Sequence, residues 1–134
     1  MINRLTDNLD FQAQALVLRS ERQRLIASNI ANADTPGYVA RDIDFAQALK
    51  EATGAMQPAG MLATSQPGHL GGTPGARGEP NLLYATPSQT NLDRNTVDMD
   101  RERANFVDNS VKYEATLRFI NANVKTTLDA IRGQ

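Results

Sequence analysis

The sequence predicts an all-α, elongated chain: long N- and C-terminal helices paired antiparallel as a coiled-coil-like core, with an extended Gly/Pro-rich arm between them. Three observations predict it. Apolar residues recur at helical spacing over both ends of the chain. A hard stop, Thr35-Pro36-Gly37-Tyr38, closes the first periodic stretch. Residues 53–91 hold seven of the nine glycines, five of the six prolines and only two charges, Arg77 and Glu79. The chain divides accordingly into an N-terminal core helix (1–35), a turn and short helix (36–52), an arm (53–94) and a C-terminal core helix (95–134).

In the first helix Ile2, Leu5, Leu9, Ala13, Leu16, Ala27 and Ile30 form one apolar strip, and Phe11, Ala15, Leu18 and Leu25 form a second beside it. No Gly or Pro interrupts, and Leu, Ala, Arg and Gln favour helix. A single partner helix covers one narrow seam, so two strips predict more than one neighbour. Leu5, Leu9, Leu16 and Ile30 are assigned to the seam; Phe11, Leu18 and Leu25 are candidates for contact with another subunit, beside the plainer reading of a broad hairpin face. Asn29 and Asn32 have two readings: hydrogen bonds to a neighbouring subunit, or satisfaction of the helix's own last turn.

Pro36 disfavours helical dihedrals at Thr35, and Pro36-Gly37 suits the centre of a type II turn, where Gly takes positive φ without strain. Asp44, with Gln47 three residues on, predicts the cap of a short helix whose apolar side is Ile43, Phe45, Ala46 and Leu49. The composition of the arm buries too little apolar surface to offset its ordering entropy; within it, Leu82-Leu83-Tyr84-Ala85 is the one piece suited to a strand or a docking contact. The last helix starts near Asp98 or Asp100, where Asp98, Asp100 and Glu102 oppose the positive end of its dipole, and runs to Ile131, with Arg132 at its negative end and Gly133 suited to close it. Phe106, Tyr113, Leu117, Ile120, Val124, Leu128 and Ile131 are spaced seven, four, three, four, four and three apart, which predicts one face and the second half of the seam.

Several function classes are excluded. The 134 residues carry a net charge of −1 with both signs interspersed, so there is no basic stripe for nucleic acid or a membrane surface. No apolar run reaches the length of a membrane span, and the N-terminus lacks the pattern of a secretory signal. There is no cysteine. The pairs Asp42/Asp44 and Asp98/Asp100 sit where helix caps belong. His69, the single histidine, lies in the Gly/Pro stretch without a second ligand or a nucleophile and is expected to face solvent. No catalytic residue, metal, cofactor or small-molecule substrate is expected.

Asn29-Ile30-Ala31-Asn32-Ala33-Asp34-Thr35-Pro36-Gly37-Tyr38 resembles the turn motif of the flagellar basal-body rod protein family, one of the bacterial axial protein families. The likeness continues through Ala40-Arg41-Asp42-Ile43-Asp44-Phe45, Asn95-Thr96-Val97-Asp98-Met99-Asp100-Arg101-Glu102 and Asn109-Ser110-Val111-Lys112-Tyr113-Glu114-Ala115. Where the family often has Gly, before the Asn-Thr-Val-Asp run, this chain has Arg94; if the turn there needs positive φ, Arg94 is strained. The resemblance implies a structural subunit of the proximal rod, polymerising helically to transmit torque and enclose the export channel. It implies as partners other copies of itself, other rod proteins, a ring or adaptor protein at the rod base and the flagellar type III export gate. It implies location in the basal body across the periplasmic space, with export but no cleaved signal. Phe45 and Leu49 match the short pattern proposed as an export-gate signal, beside the plainer reading of a local packing helix. The alternative from another class is a cytoplasmic helical-hairpin adaptor or chaperone that binds partner helices.

Overall fold

The computed structural model describes residues 2–54, 82–84 and 92–133, with the side chains of Ile2, Asn3 and Leu5 excepted. The seam assignment of Leu5, the solvent-facing reading of His69 and the expectations for the arm over 55–81 and 85–91 lie outside the described residues. The elements are α1 (Ile2–Ala31), β1 (Arg41–Ile43), α2 (Phe45–Gly54), β2 (Leu82–Tyr84) and α3 (Met99–Arg132). The 30 residues of α1 and the 34 of α3 make rods of roughly 45 and 51 Å. They pack antiparallel: Asn29 meets Glu102 near one end, and Gln12 meets Asn123 toward the other.

α1 stops where Pro36 requires. The Tyr38 amide donates to the Thr35 carbonyl at 3.2 Å, with Pro36 and Gly37 between them and Gly37 at φ 72°, which is the type II turn. The chain then turns into β1. This strand was not expected from the sequence; three residues are too few to show a period of two. It pairs antiparallel with β2, Arg41 opposite Tyr84 and Ile43 opposite Leu82, so the strand-forming patch in the arm does pair.

Asp44 starts α2 by accepting from the Gln47 amide at 3.1 Å. The other half of a capping box is missing, because the Gln47 side chain donates to Glu51 instead. α2 lies on α1, and the small core sits between them: Leu18 and Leu25 with Ile43 and Ala48, flanked by Phe45, Leu49, Ala52 and Leu82. Leu18 and Leu25 are therefore corrected from subunit contacts to the chain's own core. The neighbour that their strip demanded is the short helix that follows α1 in the same chain. Ala13 and Ala27 are exposed, and Ile26, absent from either predicted strip, is fully buried.

α3 is capped as expected. Asp98 accepts from the Asp100 and Arg101 amides, and Gly133, at φ 74°, closes the helix by donating to the Asp129 carbonyl at 3.0 Å. No described helix is long and apolar enough to cross a membrane.

Candidate functional site

Three of the four stretches that carry the sequence resemblance, 29–38, 40–45 and 95–102, converge on one end of the hairpin. The turn that follows α1 carries buried-side carbonyls that must find donors, and here a side chain 60 to 63 residues away supplies a donor to three of them. Asn95 Nδ2 lies 3.0, 2.7 and 2.8 Å from the carbonyl oxygens of Asn32, Ala33 and Thr35. Its Oδ1 accepts from the Val97 amide at 2.8 Å. Backbone ties fasten the same two segments: Gly37 donates to the Asp93 carbonyl, Thr96 to that of Tyr38, and the Ala40 amide to Thr96 Oγ1. Arg94 sits in this clamp at φ 59°, in the left-handed region where a side chain is strained.

Asn29 is the second node. Its Nδ2 donates to the Arg41 carbonyl at 2.7 Å and to Glu102 Oε2 at 3.2 Å; its Oδ1 accepts from the Arg41 amide at 3.0 Å and the Tyr38 hydroxyl at 3.2 Å. Both hydrogens and both lone pairs are used, and the side chain is buried. Asn29 is thus the point where α1, β1 and α3 join, a role that neither of its two readings gave it: its amide bonds within the chain and beyond the helix's last turn. Asn32 donates to the Ser28 carbonyl and its Oδ1 accepts from Thr35 Oγ1, so its described bonds satisfy the helix's own last turn. Thr35 and Pro36 are exposed at the turn, with Tyr38 half-buried beside them.

Charges complete this end. Arg22 grips Asp42 through two bonds of 3.0 Å, and this bond holds the guanidinium above its ordinary pKa. Burial pushes the Glu102 carboxyl up, against the hydrogen bond from Asn29, which pulls it down. The Arg19 guanidinium, lowered chiefly by burial, stacks 3.6 Å from the Phe45 ring centre. A shallow cleft of about 260 Å³ beside β1, β2 and the start of α3 is lined by Arg41, Tyr84, Arg101 and Glu102 among others. Among the described residues no three His, Asp or Glu side chains group as a metal site would need.

Farther along, α3 meets α1 through polar residues. Asn109, fully buried, donates to the Arg19 carbonyl at 2.8 Å and to Gln23 Oε1 at 2.7 Å; Gln23 in turn donates to Ser110 Oγ. Asn123 Nδ2 donates to Gln12 Oε1 at 3.1 Å. The predicted apolar seam of α3 is corrected in consequence. Phe106, Tyr113, Leu117, Val124 and Leu128 are 36–44% exposed and Ile131 is 77% exposed, because the polar positions occupy the face turned to α1. Ile120 is half-buried, as are Leu9, Leu16 and Ile30 on α1. Val107, Val111 and Phe119, each 62% exposed, widen the uncovered apolar surface, and Phe11 of α1 is 46% exposed. A free globular chain rarely shows so long an apolar face. Phe45 and Leu49, the candidate export signal, pack against the small core.

Asn95, Glu102 and Asn109 carry more of the architecture than the sequence reading gave them. Glu102 was read as a dipole partner only. The available signal was their position inside the motif-like stretches after residue 94, in places where apolar periodicity says nothing.

A helical hairpin welded at one end, with an apolar face left open along its length, defines a subunit built for assembly. The chain belongs to the flagella basal body rod protein family. The family profile described as "Flagella basal body rod protein" matches residues 9–38, the stretch from α1 through the type II turn. The chain is 49% identical over 135 residues to the flagellar basal body rod protein FlgB of Proteus mirabilis (strain HI4320), covering 98% of each chain. It is 45% identical over 136 residues to FlgB of Salmonella typhimurium (strain LT2), covering 99% of each. With FlgB of Escherichia coli (strain K12) the identity is 42% over 135 residues, covering 98% of each.

Proposed function

We propose that this chain is a structural subunit of the proximal rod of the bacterial flagellar basal body. It assembles head to tail with copies of itself and with other rod proteins, in a heterologous contact that propagates a helix rather than closing a ring. The observation that carries this reading is full-length similarity to proteins named as rod components, in a chain whose last helix leaves an apolar face uncovered. Burying that face between subunits supplies the cohesion: at roughly 25 cal/mol per Å² of apolar area, a few hundred Å² per contact yields several kcal/mol. Leu117, Val124, Leu128 and Ile131 with Phe11 form the contact surface. The assembled tube transmits torque and encloses the export channel. The subunit reaches the periplasmic space through the type III export gate without a cleaved signal, with Phe45 and Leu49 as the gate-recognised pair, and the rod base docks on a ring or adaptor protein.

The test is electron microscopy of basal bodies from a strain lacking this chain, with and without the gene restored. Rings without rod, hook or filament, recovered on restoration, are the expected result. Intact rods in the deletion strain overturn the proposal. The helical-hairpin adaptor reading is not favoured, since the relatives are named as rod proteins.

A further inference from the structure

On α3, Glu102, Asn109, Thr116 and Asn123 stand seven residues apart. Glu102 and Asn109 are buried, Thr116 and Asn123 half-buried. Three of the four hydrogen-bond to α1, at Asn29, at Arg19 and Gln23, and at Gln12. Leu117 and Val124 follow Thr116 and Asn123 by one position each and are 39 and 41% exposed. One residue is a turn of about 100° around a helix. Rotating α3 by that amount would place Leu117 and Val124 against α1 and give the hairpin a more apolar seam. Hydrophobic burial within the single chain favours that rotation. It does not occur, and the groups that oppose it are the ones it would tear apart. Turning α3 would strip Asn109 of the Arg19 carbonyl and of Gln23, and Asn123 of Gln12.

We infer that Asn109 and Asn123 are specificity determinants of the subunit: they hold α3 turned so that its apolar stripe faces outward, at the cost of a less stable hairpin. The inference rests on the assembly reading. Buried Asn in coiled coils fixes register and pairing in the same way, by making the alternative leave amides unpartnered. The clamp around Asn95 and Asn29 fixes α3 only near its N-terminal end. Asn123 maintains the same face at a point roughly 31 Å beyond Glu102.

The absence of cysteine permits a direct test. Leu117→Cys is introduced into the full chain, alone and together with Asn109→Leu and Asn123→Leu, and its labelling rate with a water-soluble maleimide is measured on the purified protein. The expected result is labelling severalfold slower in the leucine variant, with helix content kept and its unfolding midpoint raised. Without the added cysteine, Asn109→Leu/Asn123→Leu is expected to fail to restore rods. An unchanged labelling rate overturns the inference, and so does slower labelling with rods fully restored. If the double substitution does not fold, Asn123→Leu alone decides by the same readout, because its partner Gln12 is only half-buried and hydrates when freed. Failure of the assembly reading is separately visible, as rods that persist in the deletion strain whatever the labelling shows.

Discussion

Replacing Asn95 with Ala tests the claim that a side chain from beyond the arm fastens the turn that follows α1. Asn95 Nδ2 has two hydrogens shared among three carbonyls at 2.7–3.0 Å, and its Oδ1 holds the Val97 amide at 2.8 Å. That amounts to about three hydrogen bonds from a buried amide. At a net ~1 kcal/mol each, with the Asn32 carbonyl still held by the Thr35 amide and the other two recovering part of their solvation at an exposed turn, the loss is about 3 kcal/mol. Against a total stability of roughly 5–15 kcal/mol this is large, and it lowers the thermal midpoint by roughly 10 °C. The assay is thermal unfolding of the purified chain followed by far-UV circular dichroism. Asn95→Asp is the control of shape. It keeps the acceptor for Val97 but aims a carboxylate at three carbonyls and at the negative end of a helix dipole, so it must be worse than Ala. A loss under about 0.5 kcal/mol for Asn95→Ala, below the range for one hydrogen bond, or an Asp variant milder than Ala, refutes the clamp.

Further outcomes follow from the same structure. Arg94→Gly, at φ 59°, relieves left-handed strain and raises stability by about 1 kcal/mol, read from the same melts; a lower midpoint contradicts this. Glu102 has its folded pKa raised above the ordinary 4.5, so the native state holds the proton more tightly than the unfolded chain. Its contribution is complete below pH 4.5 and declines as pH climbs through the raised value. Denaturant titrations across that window should show wild type losing stability that Glu102→Gln retains, and parallel pH profiles would sink the assignment. Leu25→Ala, in the core between α1 and α2, costs about 2–4 kcal/mol in the isolated chain. Leu117→Asp, already 39% exposed, changes the isolated chain by less than about 1 kcal/mol yet abolishes swimming in complementation. If Leu117→Asp strains swim normally, α3's stripe is not the assembly face.

While the positive φ at Arg94 was suggested only by the family resemblance, the two long helices, their caps at Asp98 and Gly133 and the type II turn at Pro36-Gly37 were legible in the residues themselves. Each depends on local physics: helical apolar spacing, a short side chain reaching an amide three residues on, or a backbone region that one residue type tolerates. The strand-forming patch at Leu82–Tyr84 was legible for the same reason. Burial of Leu18 and Leu25 was legible as a demand for a further neighbour, but the sequence does not say which. The tertiary structure decided that α2 of the same chain meets it, since strips on helices specify an apolar partner and not its origin. It also decided the roles of Asn29, Asn95 and Asn109, whose amide nitrogens donate to groups 12 to 90 residues distant. Above all it decided the orientation of α3. Periodicity locates a stripe on a helix, but the direction the stripe faces depends on polar pairs formed with another helix, and here those pairs turn it outward.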